Sequence, residues 1–346
     1  MINEKVLKNL EFDKIREKLI HQCITYIGKD IAASLAPSSS FNEINKMQQE
    51  TSEACSLTLR KNAPPISPIH PIDNMINKIN IGSILSIHEL LKIGTCLKII
   101  REVKEYFKEE NDSNNPYENL SEYFNLLYTN KNLENEILRC IKSENEIDDR
   151  ASTELYKIRK KILDAESKIK EKLNAMIHSS STSKFLQDSV VTFRDGRYVI
   201  PVKQEYKNEI NGLVHDSSAS GSTIFIEPTV VFNINNEIKE LHIEEQKEIE
   251  RILALLTQMI SPLTNEMKIA IQNIGKIDFA FAKAKLAFDM EAFEPKINTN
   301  GYIHLKKARH PLLIDTMRNG ELSSSSSKNV VPIDIWLGKE FNTLVI

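Results

Sequence analysis

Residues 147–176, IDDRASTELYKIRKKILDAESKIKEKLNAM, carry the clearest structural pattern in this chain. Apolar residues recur in this stretch at spacings of four and three, and mostly charged or polar residues fill the positions between them. The apolar stripe consists of Ile147, Ala151, Leu155, Ile158, Ile162, Ala165, Ile169, Leu173 and Met176. Sustained over about four heptads, such a stripe predicts a long helix that packs against another helix, as in a coiled coil.

A second stripe predicts the partner helix. It consists of Ile234, Ile238, Leu241, Ile249, Ile252, Leu256, Met259 and Leu263. Pro262 is expected to kink this helix, since proline cannot donate a backbone hydrogen bond. The apolar pattern then resumes and continues to Phe288. We therefore expect two long antiparallel helices with the intervening segment at their tip; a helix of about 40 residues is roughly 60 Å long.

Between the stripes the pattern becomes strand-like. Short apolar runs lie at residues 190–193, 198–202, 212–215 and 222–226. Small and polar residues at 194–197 separate the first two runs, and those at 217–221 separate the last two. The sequence thus predicts a compact β-rich insert at 183–232. Residues 1–135 have further helical periodicity, broken near Pro37 and at Pro64-Pro65.

Composition narrows the possible classes of protein. The 346 residues are 41% hydrophobic and 27% charged, with a net charge of −3, so any nucleic-acid binding needs a local basic patch. Cys23, Cys55, Cys96 and Cys140 are widely spaced, which favours free thiols over a disulfide framework or a zinc site. No signal-peptide core and no apolar run long enough for a membrane span occur. We expect a soluble, cytoplasmic protein.

Several motifs, in order, give the chain a family resemblance. They are LEFDKI at 10–15, RDGRYVIPV at 194–202, HDSSASGSTIFIEP at 215–228, ARHPL at 308–312 and the terminal FNTLVI at 341–346. Together they resemble the MutS family, and within it the branch that we call MutS-two. The 14-residue HDSSASGSTIFIEP string is the most specific of these motifs.

This resemblance implies a mostly α fold in five parts. They are a helical core domain (1–135), an ascending lever helix (136–182), a β-rich clamp (183–232), a descending lever helix (233–294) and the first strands of an incomplete α/β ATPase domain (295–346). MutS-two proteins are linked to suppression of recombination on branched DNA and to rescue of collided ribosomes. They form homodimers, use ATP and Mg²⁺, and typically carry a C-terminal nuclease-like Smr domain.

The phosphate-binding loop of such an ATPase, G-x-x-x-x-G-K-[ST], is missing from the sequence. Residues 341–346 predict a buried strand with nothing after it, so we expect the chain to stop just before that loop. ATP and Mg²⁺ then belong to the complete protein, and this chain alone is expected to bind neither and to be largely monomeric, since family dimers form mainly through the ATPase domains.

The mismatch-reading motif G-x-F-[YF]-E is also missing. The F-x-E triplets at Phe41, Phe107 and Phe225 lack the preceding glycine. This departure argues against mismatch repair and favours the MutS-two branch.

Five basic residues of the insert are candidates for phosphate contacts. They are Lys184, Arg194, Arg197, Lys203 and Lys207. Against Asp188, Asp195 and Glu205 they leave a local balance of +2. Backbone binding needs such a patch and no sequence readout. If these side chains are exposed, replacing Arg194, Arg197 and Lys203 with alanine should weaken binding without loss of stability; an ordinary solvated surface is the alternative.

The resemblance also implies a site for the adenine of ATP beside His310, Val331, Pro332 and Ile333, although simple packing explains these residues equally well. We assign no catalytic residues and no metal ligands. His215, Asp216 and Ser217 are adjacent and point in different directions along a strand and turn, whereas a hydrolytic triad must converge in space.

Two functions remain open from the sequence. The first is the gripping part of a MutS-like ATPase that acts on branched DNA or on ribosomal RNA in stalled ribosomes. The second is a coiled-coil scaffold that binds protein partners without nucleic acid. Their dependence on salt separates them, because only phosphate contacts weaken steeply as salt rises.

We predict that the purified chain does not hydrolyse ATP, because nothing in its sequence cradles the phosphates. Phosphate release in the presence of ATP and Mg²⁺ should equal that of a heat-denatured sample. Turnover above this background, co-purifying with the chain, would reveal an unrelated nucleotide site.

Overall fold

A computed structural model describes residues 4–108, 116–313, 330–338 and 340–343. The described part is mostly helical and carries small antiparallel sheets. Its helices are α1 (Glu4–Asn9), α2 (Phe12–Gln22), α3 (Tyr26–Ala33), α4 (Phe41–Lys61), α5 (Asp73–Asn80), α6 (Ile87–Phe107), α7 (Glu118–Asn125), α8 (Lys131–Cys140), α9 (Thr153–Ile177), α10 (Thr229–Ile260) and α11 (Thr264–Asp289). Its strands are β1 (Ile141–Ser143), β2 (Glu146–Ile147), β3 (Thr192–Arg194), β4 (Arg197–Lys203), β5 (Gly212–Ser217), β6 (Thr223–Pro228), β7 (Ile303–Ala308) and β8 (Ile333–Leu337).

The chain divides into two compact units. The first comprises Met1–Asn74, Lys92–Glu134 and Pro262–Ile346, and the second comprises Met75–Leu91 and Asn135–Ser261. The last boundary between the units falls at Pro262, where α10 has ended at Ile260 and a short 3-10 turn precedes α11. Among the described residues no helix combines the length and apolar character needed to cross a membrane.

In the first unit, α11 is the helix around which α2, α3, α4 and α7 pack. Its buried Asp278 carboxylate accepts hydrogen bonds from the backbone N–H groups of Ile24 and Thr25 and from the Thr25 hydroxyl, the shortest at 2.7 Å. The donors lie in the connection before α3, outside any helix, so helical hydrogen bonding does not satisfy them. The Asp278 carboxylate supplies the missing acceptor.

Two glycines let α3 approach α11 closely. A Cβ atom on Gly28 would lie 2.4 Å from an Asp278 oxygen, and one on Gly275 would lie 2.2 Å from the Ile27 side chain. Any larger residue at either position would push the helices apart, so the small residues and the buried carboxylate specify the same contact.

In the second unit, α9 and α10 pack antiparallel along the apolar stripes. Ile158 and Ile162 pack against Leu241, and the Arg159 guanidinium bonds Glu245 at 2.7 Å. The buried face of α9 is the predicted stripe from Leu155 to Leu173, with Ile177 added at its end.

The start of α9 differs from the prediction. The stripe begins at Ile147, but that residue lies in β2, and the helix begins at Thr153. Ser152 explains this start, because its hydroxyl oxygen accepts from the Leu155 N–H at 3.0 Å and the hydroxyl donates to Glu248 at 2.6 Å. An N-cap bonded to the partner helix decides the boundary, and apolar spacing alone does not reveal it.

The C-terminal residues also differ from the prediction. Strands β7 and β8 form a two-stranded antiparallel ribbon in which Ile303 pairs with Leu337 and Ala308 with Ile333. Residues 341–343 are not a strand, and residues 344–346 lie outside the described residues. The apolar strand expected at 341–346 is therefore wrong for its first three residues; Gly338, at φ +95°, turns the chain where β8 ends.

We predict that Asp278→Ala destabilises the protein by about 2–4 kcal/mol, because buried N–H groups of the α2–α3 connection lose their acceptor. Asp289→Ala is the matched control: this exposed α11 carboxylate accepts a hydrogen bond from the side chain of Gln22 at 2.8 Å, and its replacement should cost less than about 1 kcal/mol. Urea denaturation followed by circular dichroism measures both. Equal losses in the two variants would contradict the assigned role of Asp278.

Candidate nucleic-acid interface

The insert folds into a four-stranded antiparallel sheet of order β3-β4-β6-β5. Ile200 pairs with Ile226 and Val202 with Ile224, so these four apolar side chains share one face of the sheet. That face is buried against side chains of α9 and α10: Ala165, Ile169, Leu173, Ile177 and Ile238. The sheet thus packs where α9 ends and α10 begins.

A buried carboxylate lies at the centre of the polar contacts of this sheet. Glu227, with no exposed surface, accepts hydrogen bonds from Arg197 at 2.8 and 2.9 Å and from Asn235 at 2.8 Å. Its second oxygen lies 2.6 Å from Nε2 of His215. The network continues to Asn236, which accepts from the other Arg197 nitrogen at 2.7 Å.

This network joins four elements of the second unit. Arg197 belongs to β4, His215 to β5, Glu227 to β6 and Asn235 to α10. Asn235 also holds the backbone of Tyr198, accepting from its N–H at 3.1 Å and donating to its carbonyl at 3.2 Å. Each polar group is satisfied by a partner on another element, so the network fixes how the strands and helix meet.

Local features of the HDSSASGSTIFIEP motif build the β5 side of the network. The pairing of β5 with β6 slips between Val214 and Asp216, which makes His215 the bulged residue. Gly212 is required where β5 touches β6, since a Cβ there would lie 2.2 Å from the Glu227 carbonyl oxygen. His215, Asp216 and Ser217 do not converge as a hydrolytic triad; the histidine meets Glu227 instead.

The turn at the end of β5 is held by serine hydroxyls. The Ser218 hydroxyl accepts from the Thr223 N–H at 3.1 Å, and its carbonyl accepts from Gly221 at 2.8 Å. Gly221 has a φ of +72°, in the region that glycine adopts without strain. The motif is thus explained as a bulge, a tight turn and a strand that ends in a buried carboxylate.

The structure separates Arg197 from the other predicted phosphate ligands. Its side chain is 16% exposed and its guanidinium is committed to Glu227 and Asn236, with Phe232 beneath it at 5.5 Å. The expectation that its loss leaves stability unchanged depended on exposure, which this residue lacks. We therefore treat Arg197 as a structural cation rather than a phosphate ligand.

Arg194 and Lys203 share the face of the sheet opposite the apolar core. Register places Arg194 beside Arg197, and Lys203 lies on the same side of β4. The Arg194 guanidinium lies 4.7 Å from the centre of the Phe225 ring and 3.9 Å from the Asp216 carboxylate. Its side chain is 49% exposed, so it remains open to solvent.

Lys184 and Lys207 flank the aromatic pair Phe185 and Tyr206. The rings of Phe185 and Tyr206 lie 5.1 Å apart, the Lys184 amine lies 4.8 Å from the Phe185 ring, and Lys207 follows Tyr206 in the chain. Both lysines are exposed. Within the residues that the structure describes, neither they nor Lys203 form an ion pair.

The net charge of the whole insert differs from the +2 counted for residues 184–207. Glu209, Asp216 and Glu227 add three carboxylates to the +2 counted for residues 184–207, so the whole of 183–232 carries −1. The neighbouring helix α9 supplies positive charge: it has seven basic and four acidic residues, with Lys168, Lys170 and Lys172 in its last turns, against the sheet. A basic surface in this unit must combine α9 with the insert.

The residues expected beside adenine meet at one end of the C-terminal ribbon. Ile333 pairs with Ala308, so Val331 and Pro332 lie before β8 where His310 lies after β7. His310 and Pro332 are exposed, and Val331 is 75% exposed. An adenine site there stays a prediction.

Sequence reasoning missed the residues that organise the sheet: Glu227, Asn235 and Asn236. One signal was available: Glu227 directly follows the mostly apolar run TIFI. A charged side chain buried at the end of such a strand needs a polar partner. The two asparagines lie inside a helical stripe and gave no such signal.

Several known proteins are similar to this chain along its whole length. It is 44% identical over 345 residues to a protein of Acetivibrio thermocellus, 39% identical over 347 residues to one of Clostridium perfringens and 37% identical over 345 residues to one of a Geobacillus species. Each of these is named Endonuclease MutS2, and the chain spans 42% of each one's length. No protein-family model matches the chain.

We predict that Arg197→Ala destabilises the protein by about 3–5 kcal/mol, because it leaves the Glu227 charge buried without its cation. Arg194→Ala is the control: it makes the same change of charge on β3, opposite Arg197, but its side chain is 49% exposed and its loss should cost less than about 1 kcal/mol. Thermal and urea unfolding measure both variants. A stable Arg197→Ala protein would remove the network from its assigned role.

Proposed function

Because the chain belongs to the MutS2 type of the MutS family, we propose that its second unit grips nucleic acid through the phosphate backbone. In this proposal α9 and α10 are the levers and the β3–β6 sheet is the clamp. The target is branched DNA, in suppression of recombination, or the RNA of stalled ribosomes, in the cytoplasm. Mismatch repair is not proposed.

One observation carries this proposal. The structure uses one basic residue of the sheet, Arg197, inside the fold and leaves Lys184, Arg194, Lys203 and Lys207 at the surface. Lys184, Lys203 and Lys207 have no carboxylate partner among the described residues, and Arg194 stays 49% exposed although Asp216 lies 3.9 Å away. Their hydrogen-bond donors can therefore reach phosphate oxygens. Helix α9 packs against the apolar face of the sheet, so its exposed lysines add positive charge to the unit on that other side.

The chemistry of the complete protein is a further part of the proposal. We assign ATP and Mg²⁺ to an ATPase domain that β7 and β8 begin, with His310, Val331, Pro332 and Ile333 beside the adenine. The relatives are named as endonucleases, and we propose that activity, like the homodimer, for the complete protein rather than for this chain. Nothing in this assignment requires a catalytic residue in the sheet.

We predict that replacing Arg194, Lys203 and Lys207 together with alanine weakens binding to all nucleic acids alike. Each lost phosphate contact should lower the slope of log K against log salt by about 0.9 on duplex DNA, so the loss approaches about 2.7 for three contacts. The measurement is a salt titration by fluorescence anisotropy with duplex DNA, a four-way junction and purified ribosomes.

The matched control removes three exposed lysines outside the sheet, Lys239, Lys247 and Lys285, and so changes the net charge equally. It should leave the slope nearly unchanged. Preferential loss on junctions or on ribosomes identifies the physiological class of target. If the sheet variant binds all three ligands with the slope of the wild type, the clamp assignment is wrong and a protein-binding scaffold is favoured.

A further inference from the structure

A groove in the second unit lies between the C-terminal half of α9 and the β3–β4 hairpin. Its volume is about 460 Å³, within the range of small-ligand sites. Ten residues line it: Lys170, Asn174, Ile177, His178, Ser189, Val190, Val191, Thr192, Phe193 and Tyr198. The groove is separate from the exposed cations on the opposite face of the sheet.

The aromatic wall of the groove is held in place but left open. Phe193 and Tyr198 face each other across β3 and β4, with ring centres 5.0 Å apart in an edge-to-face contact. Tyr198 is fixed by the two backbone hydrogen bonds of Asn235. Burial and the nearby Glu166 carboxylate raise the pKa of its hydroxyl to about 12. Phe193 itself is 56% exposed, which is costly for a ring unless something covers it.

The polar side chains of the groove favour a ligand with negative charge and hydrogen-bonding groups. Lys170 places its amine 5.9 Å from the centre of the Tyr198 ring, and none of the ten lining residues is acidic. Asn174 and His178 are exposed at the same wall and offer donors and acceptors. The carbonyl end of α9 lies at His178 and disfavours anions there, so the negative group belongs beside Lys170, two turns back along the helix.

We propose that this groove binds one unpaired nucleotide, with its base stacked on Phe193 and its phosphate beside Lys170. This inference rests on the proposed function, which brings a nucleic-acid strand to the sheet. Stacking on an aromatic ring accepts every base, so the groove confers a preference for single-stranded or branched structures without a preference for sequence. A fully paired duplex keeps its bases stacked inside and cannot fill the site.

The experiment compares a continuous duplex with the same duplex carrying a gap of a few unpaired nucleotides, one of them 2-aminopurine. Phe193→Leu keeps an apolar side chain but removes the aromatic face. Base–aromatic stacking is worth enough that its loss should weaken binding to the gapped ligand about fivefold or more and abolish quenching of the 2-aminopurine. Binding to the continuous duplex should not change.

Two further variants complete the test. Phe193→Trp should retain both the affinity and the quenching, since it restores an aromatic face. Leu213→Ala removes an apolar side chain that is 51% exposed on β5, at the other edge of the sheet, and should behave as the wild type. A gapped RNA–DNA ligand, run in parallel, shows whether the groove distinguishes the two sugars.

The outcomes separate this inference from the proposed function. If Phe193→Leu binds the gapped ligand and quenches like the wild type, the groove does not hold a base. This result would stand whatever Arg194, Lys203 and Lys207 contribute to binding. If only the variant lacking Arg194, Lys203 and Lys207 loses affinity, the clamp stands and the groove does not. If the wild-type chain binds neither ligand, both proposals are overturned.

Discussion

The buried Glu227 carboxylate is the contact on which the second unit depends. It gathers Arg197, His215 and Asn235 from three other elements, and its own charge is stable in the interior only because they surround it. An apolar core could hold the sheet on the helices, but it would not fix the angle of the β3–β4 hairpin. By using one arginine inside, the fold leaves the remaining cations of the sheet available at the surface.

The first unit uses the same physical device for a different purpose. Asp278 is a buried carboxylate that satisfies backbone N–H groups rather than cations, and Gly28 and Gly275 give the helices the space to reach it. Both units thus pair an apolar stripe, which supplies most of the stabilisation, with one buried acid that selects a single geometry. The acids lie on α11 and at the end of β6. Asp278 bonds a connection more than 250 residues away in sequence, whereas Glu227 bonds neighbouring strands and the start of the next helix.

Apolar periodicity predicted the helices and the β-rich insert well, since every residue of a stripe reports the same buried face. It could not predict where α9 begins, because Ser152 caps that helix and bonds Glu248, nearly 100 residues away. Charge counting likewise grouped Arg197 with Arg194, two similar residues of one hairpin. Only the tertiary contact with Glu227 separates them. The charge count also ended at Lys207 and so left out Glu209, Asp216 and Glu227. The resemblance in HDSSASGSTIFIEP located the sheet but did not reveal the network inside it.

Photo-crosslinking of the chain to nucleic acid, with the linked peptides identified by mass spectrometry, tests most directly the claim that the sheet is the gripping surface. The account predicts that peptides from 183–232 and from the last turns of α9 dominate the linked products with a four-way junction or with ribosomal RNA, and that added salt removes them. Crosslinks confined to α10 or to the first unit, with the sheet unlabelled, would contradict it.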